Sequence, residues 1–276
     1  MRAEINVLGA LEVSIDGTSV VPNASKPRHL LAVLAMNVGK LVTSSSLKEE
    51  LWGNHAPRSA TSTLQTHVLS LRNHIREALP SSEDDLVRDI LVTRNAGYVL
   101  RLDPDSVDVI RYTRLAAAGR AASGAGDHER AGQLLTEALA LWRGPVLDDV
   151  SVGPQLEIES MRLAECRLAD LTLRIDMDLY LGRHHQVLGD LAALCAQHPY
   201  MENFRAQFML ALYRSGRPGQ ALEVYHEMWA TIRDHLGVDP SPRLRELHRA
   251  ILAGDAMVDD PRFMVNAWQR GNAIAS

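Results

Sequence analysis

Apolar positions in the first hundred residues change their period twice, and each change predicts a different element. Ile5 and Val7, then Leu11, Val13 and Ile15, recur at every second position, the spacing of strands with one buried face. Gly9 interrupts the first run, and Asp16-Gly17 is a hairpin signal, so these residues read as short antiparallel strands. Pro22 and Pro27 end that pattern. "KPRHLLAVLAMNVGK" then carries Leu30, Leu31, Leu34 and Val38 at helical spacing and stops at Gly39. "TSSSLKEELWG" opens on hydroxyl caps, carries Leu47, Leu51 and Trp52, and closes at Gly53 as a short second helix. After "NHAP", the stretch "RSATSTLQTHVLSLRNHIREAL" places Leu64, Val68, Leu71 and Ile75 at i, i+4, i+7 and i+11, a core-facing stripe. "LVRDILVT" and "GYVLRLD" follow as two β-rich runs around Arg94-Asn95-Ala96-Gly97, whose glycine suits a hairpin turn. Strands, three helices and a closing hairpin give an α+β winged helix-turn-helix. In that fold the third helix fills a major groove and the hairpin reaches a neighbouring one.

The third helix is two-sided. Six hydroxyl side chains precede Arg72, and Ser62, Thr66, Leu69, Ser70, Asn73 and Glu77 fall on or near the face opposite the apolar stripe. Short hydroxyl and amide groups can hydrogen-bond base edges, and a threonine methyl can also meet a thymine methyl. Thr63, Thr66, His67, Ser70 and Asn73 are the expected base-facing residues. Arg58, Arg72, Arg76, Arg94 and Asn95 are the expected phosphate contacts.

From Val107 onward the pattern is helical, broken at Gly124-Ala125-Gly126, Gly144-Pro145, Gly153-Pro154, His198-Pro199 and Asp239-Pro240. "LYLGRHHQVLGDL" and "YRSGRPGQALEVY" align at an offset of 34, pairing Gly182 with Gly216, Arg183 with Arg217 and Gln186 with Gln220. "GAGDHERAGQLL" is a fainter third copy. That period belongs to tetratricopeptide helix pairs, which stack into an all-α array with a concave face for protein or, less often, a small ligand. Residues 155–181 read as one extended helix. His184-His185 is expected to begin a helix as a polar surface pair, Asp148-Asp149 to lie in a solvated loop, and Trp142, Tyr213 and Trp229 to sit at core spacings.

Composition narrows the function. The 276 residues suffice for two domains, and 46% apolar with 23% charged residues is ordinary for a globular protein. The N-terminus has no secretory h-region and no stretch reaches membrane-spanning length, so a cytoplasmic, nucleoid-associated protein with no membrane partner is expected. Cys166 and Cys195 are too few for a disulfide framework or a zinc site. Gly216-Arg-Pro-Gly lacks the strand and the Lys-Ser/Thr of a phosphate loop. No catalytic triad, paired-carboxylate site, metal site or cofactor motif is present, so an enzyme is not expected. The net charge of −5 is uneven: residues 1–102 hold 11 Lys/Arg against 10 Asp/Glu, and residues 103–276 hold 18 against 24. Between Val20 and Arg76 seven basic residues (Lys26, Arg28, Lys40, Lys48, Arg58, Arg72 and Arg76) face Glu49 and Glu50 alone. A phosphate backbone senses that local balance.

"KPRHLLAVLAM", "LKEELWG", "PRSATSTLQTHVLSLRNHI" and "LVTRNAGYVL" resemble the OmpR-type winged helix of the Streptomyces antibiotic regulatory proteins (SARP). "VDVIRYTRLAAAGRAA", "EALALWRGPVLDDV" and the run from Met209 to Asp255 resemble that family's bacterial transcriptional activation domain. The resemblance implies a winged-helix domain over 1–103, an activation domain over 104–255 and an unassigned tail over 256–276. It further implies a sequence-specific activator of a secondary-metabolite (antibiotic) gene cluster. Such an activator would bind double-stranded promoter DNA at tandem direct repeats as a homodimer and recruit RNA polymerase through its sigma factor. With no nucleotide-binding or phosphopeptide-binding module following, the expected form is the small, stand-alone one. His67 departs from an aromatic usual in the family, and Asn73-His74 from basic residues, which implies a shifted sequence preference or weaker backbone contact. A ligand-sensing repressor using the helical array as sensor is the alternative, and a winged helix that binds protein is a third reading.

Overall fold

The hairpin predicted at Asp16-Gly17 is a two-residue turn in which both residues have positive φ, 47° and 83°, matching the right-handed strand twist. It joins β2 (Glu12–Ile15) to β3 (Thr18–Ser19), and β2 pairs antiparallel with β1 (Ala3–Asn6) so that Ile5 faces Val13. The protein is described here from a computed structural model covering residues 1–80 and 86–261. Helix α1 (Ser25–Met36) is buried without interruption from His29 to Ala35. A one-sided stripe was expected, but α2 (Ser44–Trp52), α3 (Ala60–Ala78) and β6 (Gly97–Leu100) all pack around this helix. The other elements of the region are β4 (Val42–Thr43), α4 (Leu86–Ile90) and β5 (Leu91–Arg94). Thr43 caps α2, its hydroxyl accepting from Ser46 N at 3.1 Å.

Two expectations fail locally. The run beginning at Leu86 is not a continuous strand: Val87 and Ile90, one turn apart, are buried on the short α4, and β5 starts at Leu91. Gly97 is not the turn residue. It lies in β6, paired with Arg94 of β5 and Thr43 of β4 in a sheet ordered β4-β6-β5. A Cβ there would lie 2.0 Å from the Val42 carbonyl oxygen, so close approach of the β4 backbone requires glycine.

The remaining helices are α5 (Asp108–Gly124), α6 (His128–Leu139), α7 (Pro154–Tyr180), α8 (Leu188–Gln197), α9 (Glu202–Arg214), α10 (Pro218–Leu236) and α11 (Pro242–Ala253). Packing forms two compact units that interleave in sequence. Among the described residues, the first takes 1–117 and 137–168, the second 118–136 and 169–261. In the first, Trp142, Leu147, Leu156 and Leu163 join one hydrophobic cluster with Ile5, Leu8, Leu34, Leu47 and Leu102.

Three carboxylates stitch this unit together. Asp108 accepts from the backbone N–H groups of Val7 and Leu8, each at 2.9 Å. Asp149 accepts from Leu11 N and pairs with Arg28, both at 2.7 Å, and is therefore not merely a solvated loop residue. Glu50, only 2% exposed, accepts from Gly153 N at 2.9 Å, Gln155 N at 2.7 Å and Leu156 N at 3.2 Å, with His29 Nε2 at 3.3 Å. It thereby satisfies the donors that open α7.

In the second unit Gly182 and Gly216, aligned by the 34-residue offset, both have φ 73° just after a helix end. The repeat is therefore structural. His184-His185 lies in the turn before α8 rather than inside it. Trp229 is 38% exposed, not core, and the Arg233 guanidinium lies 4.9 Å from its ring. Of the tail, Ala256–Asp259 forms a 3-10 turn whose Val258 carbonyl accepts from Arg214 Nε at 3.0 Å; 262–276 lies outside the described residues. No described helix is long and apolar enough to cross a membrane.

Candidate nucleic-acid interface

Helix α3 buries Ala60, Leu64, Val68, Leu71, Ile75 and Ala78 against the unit's core. That stripe fixes its other side outward. Thr61, Ser62, Gln65, Thr66, Leu69, Asn73, Arg76 and Glu77 are exposed. Several short polar groups already bond within the helix: Thr66 Oγ1 donates to the Ser62 carbonyl at 3.1 Å, and Ser62 Oγ to the Ser59 carbonyl at 2.9 Å. Their remaining lone pairs point to solvent, acceptors suited to base amino groups. Asn73 Oδ1 accepts from Arg76 Nη1 at 2.7 Å, which leaves the amide N–H₂ as the group Asn73 can offer outward.

Three of the expected base-facing residues sit at the edges of this surface. Thr63 is half-buried, its hydroxyl 3.4 Å from that of Ser59. Ser70 is half-buried, with its carbonyl 2.8 Å from His74 Nδ1. His67 is half-buried and its ring stacks on Trp52 at 6.2 Å and 25°. Burial, and then the charge of Lys26, hold His67 below the ordinary imidazole value. Its neutral ring therefore braces α3 against α2. Gln65 and Leu69, absent from the expected set, occupy the exposed centre; the signal was their helical position, visible in the sequence.

The β5–β6 hairpin projects beside this face. Thr93, Arg94, Asn95 and Ala96 are exposed at its tip, and the Ala96 carbonyl accepts from Ser44 N at 2.8 Å, tying the tip to the start of α2. Arg72 joins helix and hairpin directly. Its Nη2 donates to the Leu91 carbonyl at 2.9 Å and to Thr93 Oγ1 at 2.8 Å. That guanidinium is half-buried and engaged within the protein, in contrast to exposed Arg58 and Arg94; Arg76 is exposed and bonded to Asn73. The basic window shrinks further at the surface. Lys26 donates to the Leu51 carbonyl, and Arg28 is held by Pro22 O and Asp149.

An outward polar helix, braced by a helix-turn-helix and flanked by a hairpin wing, defines a winged-helix regulator joined to a helical-repeat region. Comparison with known proteins makes this particular. The family model "Transcriptional regulatory protein, C terminal" matches residues 18–100, and "Bacterial transcriptional activator domain" matches 107–252. The regulatory protein DnrI of Streptomyces peucetius is 44% identical over 256 residues, covering 93% of this chain and 94% of that protein. The transcriptional regulator RedD of Streptomyces coelicolor is 36% identical, covering 94% and 73%. The solved structure of Mycobacterium tuberculosis EmbR in complex with a low-affinity phosphopeptide matches with a TM-score of 0.85 and 32% identity, over 99% of this chain and 71% of that one. The chain belongs to the Streptomyces antibiotic regulatory protein family of transcriptional activators, and that family is not enzymatic.

Proposed function

We propose that this protein binds promoter DNA sequence-specifically as a homodimer on tandem direct repeats and recruits RNA polymerase, sigma factor included, to a secondary-metabolite gene cluster. The observation that carries the reading is the exposed polar face of α3 beside the wing tip. Thr66 and Asn73 read base edges from its centre, with Thr63, His67 and Ser70 at its margins. Arg58, Arg76, Arg94 and Asn95 contact phosphates, while Arg72 acts on DNA through the wing it holds. The match of residues 107–252 to an activator domain supports a polymerase contact made by that region.

Dimerisation follows from affinity. One winged helix touches few base pairs and, with 11 Lys/Arg against 10 Asp/Glu over residues 1–102, has little surplus positive charge to lend. Specific regulators exceed their non-specific binding by roughly 4–10 kcal/mol, which calls for a second reading helix from a second chain. For two copies to share one face of the duplex, their sites lie about 10–10.5 bp apart. The test is to footprint the full chain on promoters flanking its own gene, then insert half a helical turn between the protected repeats. Loss of cooperative binding is expected. Tight two-copy binding that survives the insertion would rule out the shared-face dimer.

A further inference from the structure

Leu69 is 56% exposed at the middle of the α3 face. A lone surface leucine ordinarily needs no explanation, but the surroundings of this one are specific. Ser62, Thr66 and Asn73 share its face at helical spacing. All three are short, and all three hold hydrogen bonds along their own helix. The core stripe of α3 is complete without Leu69, because Leu64, Val68, Leu71 and Ile75 are each at most 3% exposed. The isobutyl group is therefore an apolar projection framed by polar groups. In a major groove the apolar feature of a base edge is the C5 methyl of thymine.

We propose that Leu69 is a specificity-determining residue that reads a thymine through its C5 methyl group. The inference rests on the reading that α3 enters a major groove, and it adds a preference that hydroxyl and amide groups alone do not supply. Burial of one methyl-sized group against the leucine corresponds to about a fourfold change in affinity. Leu69→Ala leaves folding intact, since the side chain is exposed and alanine favours the helix.

The experiment begins with duplexes selected from a randomised library by the full-length chain. Each thymine in the selected site is then replaced singly by deoxyuridine, which keeps the pairing and removes the methyl. Wild-type protein is expected to lose about fourfold at one position. Leu69→Ala should bind the thymine duplex about fourfold more weakly than wild type does, and bind the thymine and uracil duplexes equally. Continued discrimination by Leu69→Ala, indifference of the wild type to every replacement, or a selected site without thymine would each overturn the assignment. Failure of the wild type to enrich any duplex would overturn the DNA-binding reading itself, a distinguishable result.

Discussion

Glu50 offers the sharpest test of how the first unit is held together. Its carboxylate accepts three backbone N–H groups, from Gly153, Gln155 and Leu156, at 2.9, 2.7 and 3.2 Å. All sit within a site where the glutamate is 2% exposed. Glu50→Ala orphans these donors, and each buried unsatisfied group costs about 1–3 kcal/mol. Water entering the vacated space recovers part of that, so the expected loss is about 3–5 kcal/mol, the range for breaking a buried charged interaction. Glu50→Gln keeps one accepting oxygen but turns an N–H₂ toward a donor, and should lose about 1–2 kcal/mol. Urea unfolding of the full chain gives the stability change, and hydrogen exchange at Gln155 and Leu156 localises it. A Glu50→Ala variant within about 0.5 kcal/mol of wild type, or unchanged protection at those amides, would refute the capping role.

Other consequences follow from particular contacts. Arg72→Gln should weaken DNA binding with little change in salt dependence, whereas Arg94→Gln should lower the salt slope by about 1; a full unit lost with Arg72→Gln would put that guanidinium on a phosphate. Gly97→Ala places a Cβ 2.0 Å from the Val42 oxygen and should cost roughly 1–3 kcal/mol, seen as a lower melting temperature; an unchanged melting temperature would reject the close approach as the reason for glycine. Burial pushes the Asp176 carboxyl up to about 7, against the hydrogen bond from Gln207. The folded state therefore holds that proton where the unfolded chain has released it, and stability from this group falls as pH rises from about 4 to 7. Asp176→Asn should remove that slope and gain on wild type above pH 7, and parallel pH–stability curves for the two proteins would contradict it.

What the sequence disclosed was local. The stripe Leu64-Val68-Leu71-Ile75, the Asp16-Gly17 turn and the 34-residue offset are periodic or adjacent signals, and each appears in the fold. What stayed hidden was long-range. Asp149 read as a solvated loop residue, and Glu50 only as a charge to be counted, because their partners, Leu11 and Gly153, lie about a hundred or more positions away. Gly97 read as a turn residue because its true constraint, the β4 backbone, is set by sheet pairing. The internal partner of Arg72 stayed hidden for the same reason: helical position gave its direction, but not the Leu91 carbonyl waiting there. Within the candidate site the exposed centre of α3 was legible from its period, while the half-burial of His67 against Trp52 was not.

The central claim is that the outward face of α3 reads base edges, and Thr66→Ala tests it most directly. Thr66 is exposed at the centre of that face, its hydroxyl anchored to the Ser62 carbonyl. Affinities of wild type and variant are to be measured on a selected duplex and on random-sequence DNA at matched salt. The account predicts a loss of about 1–3 kcal/mol on the selected duplex and almost none on random DNA. An equal loss on both would contradict it.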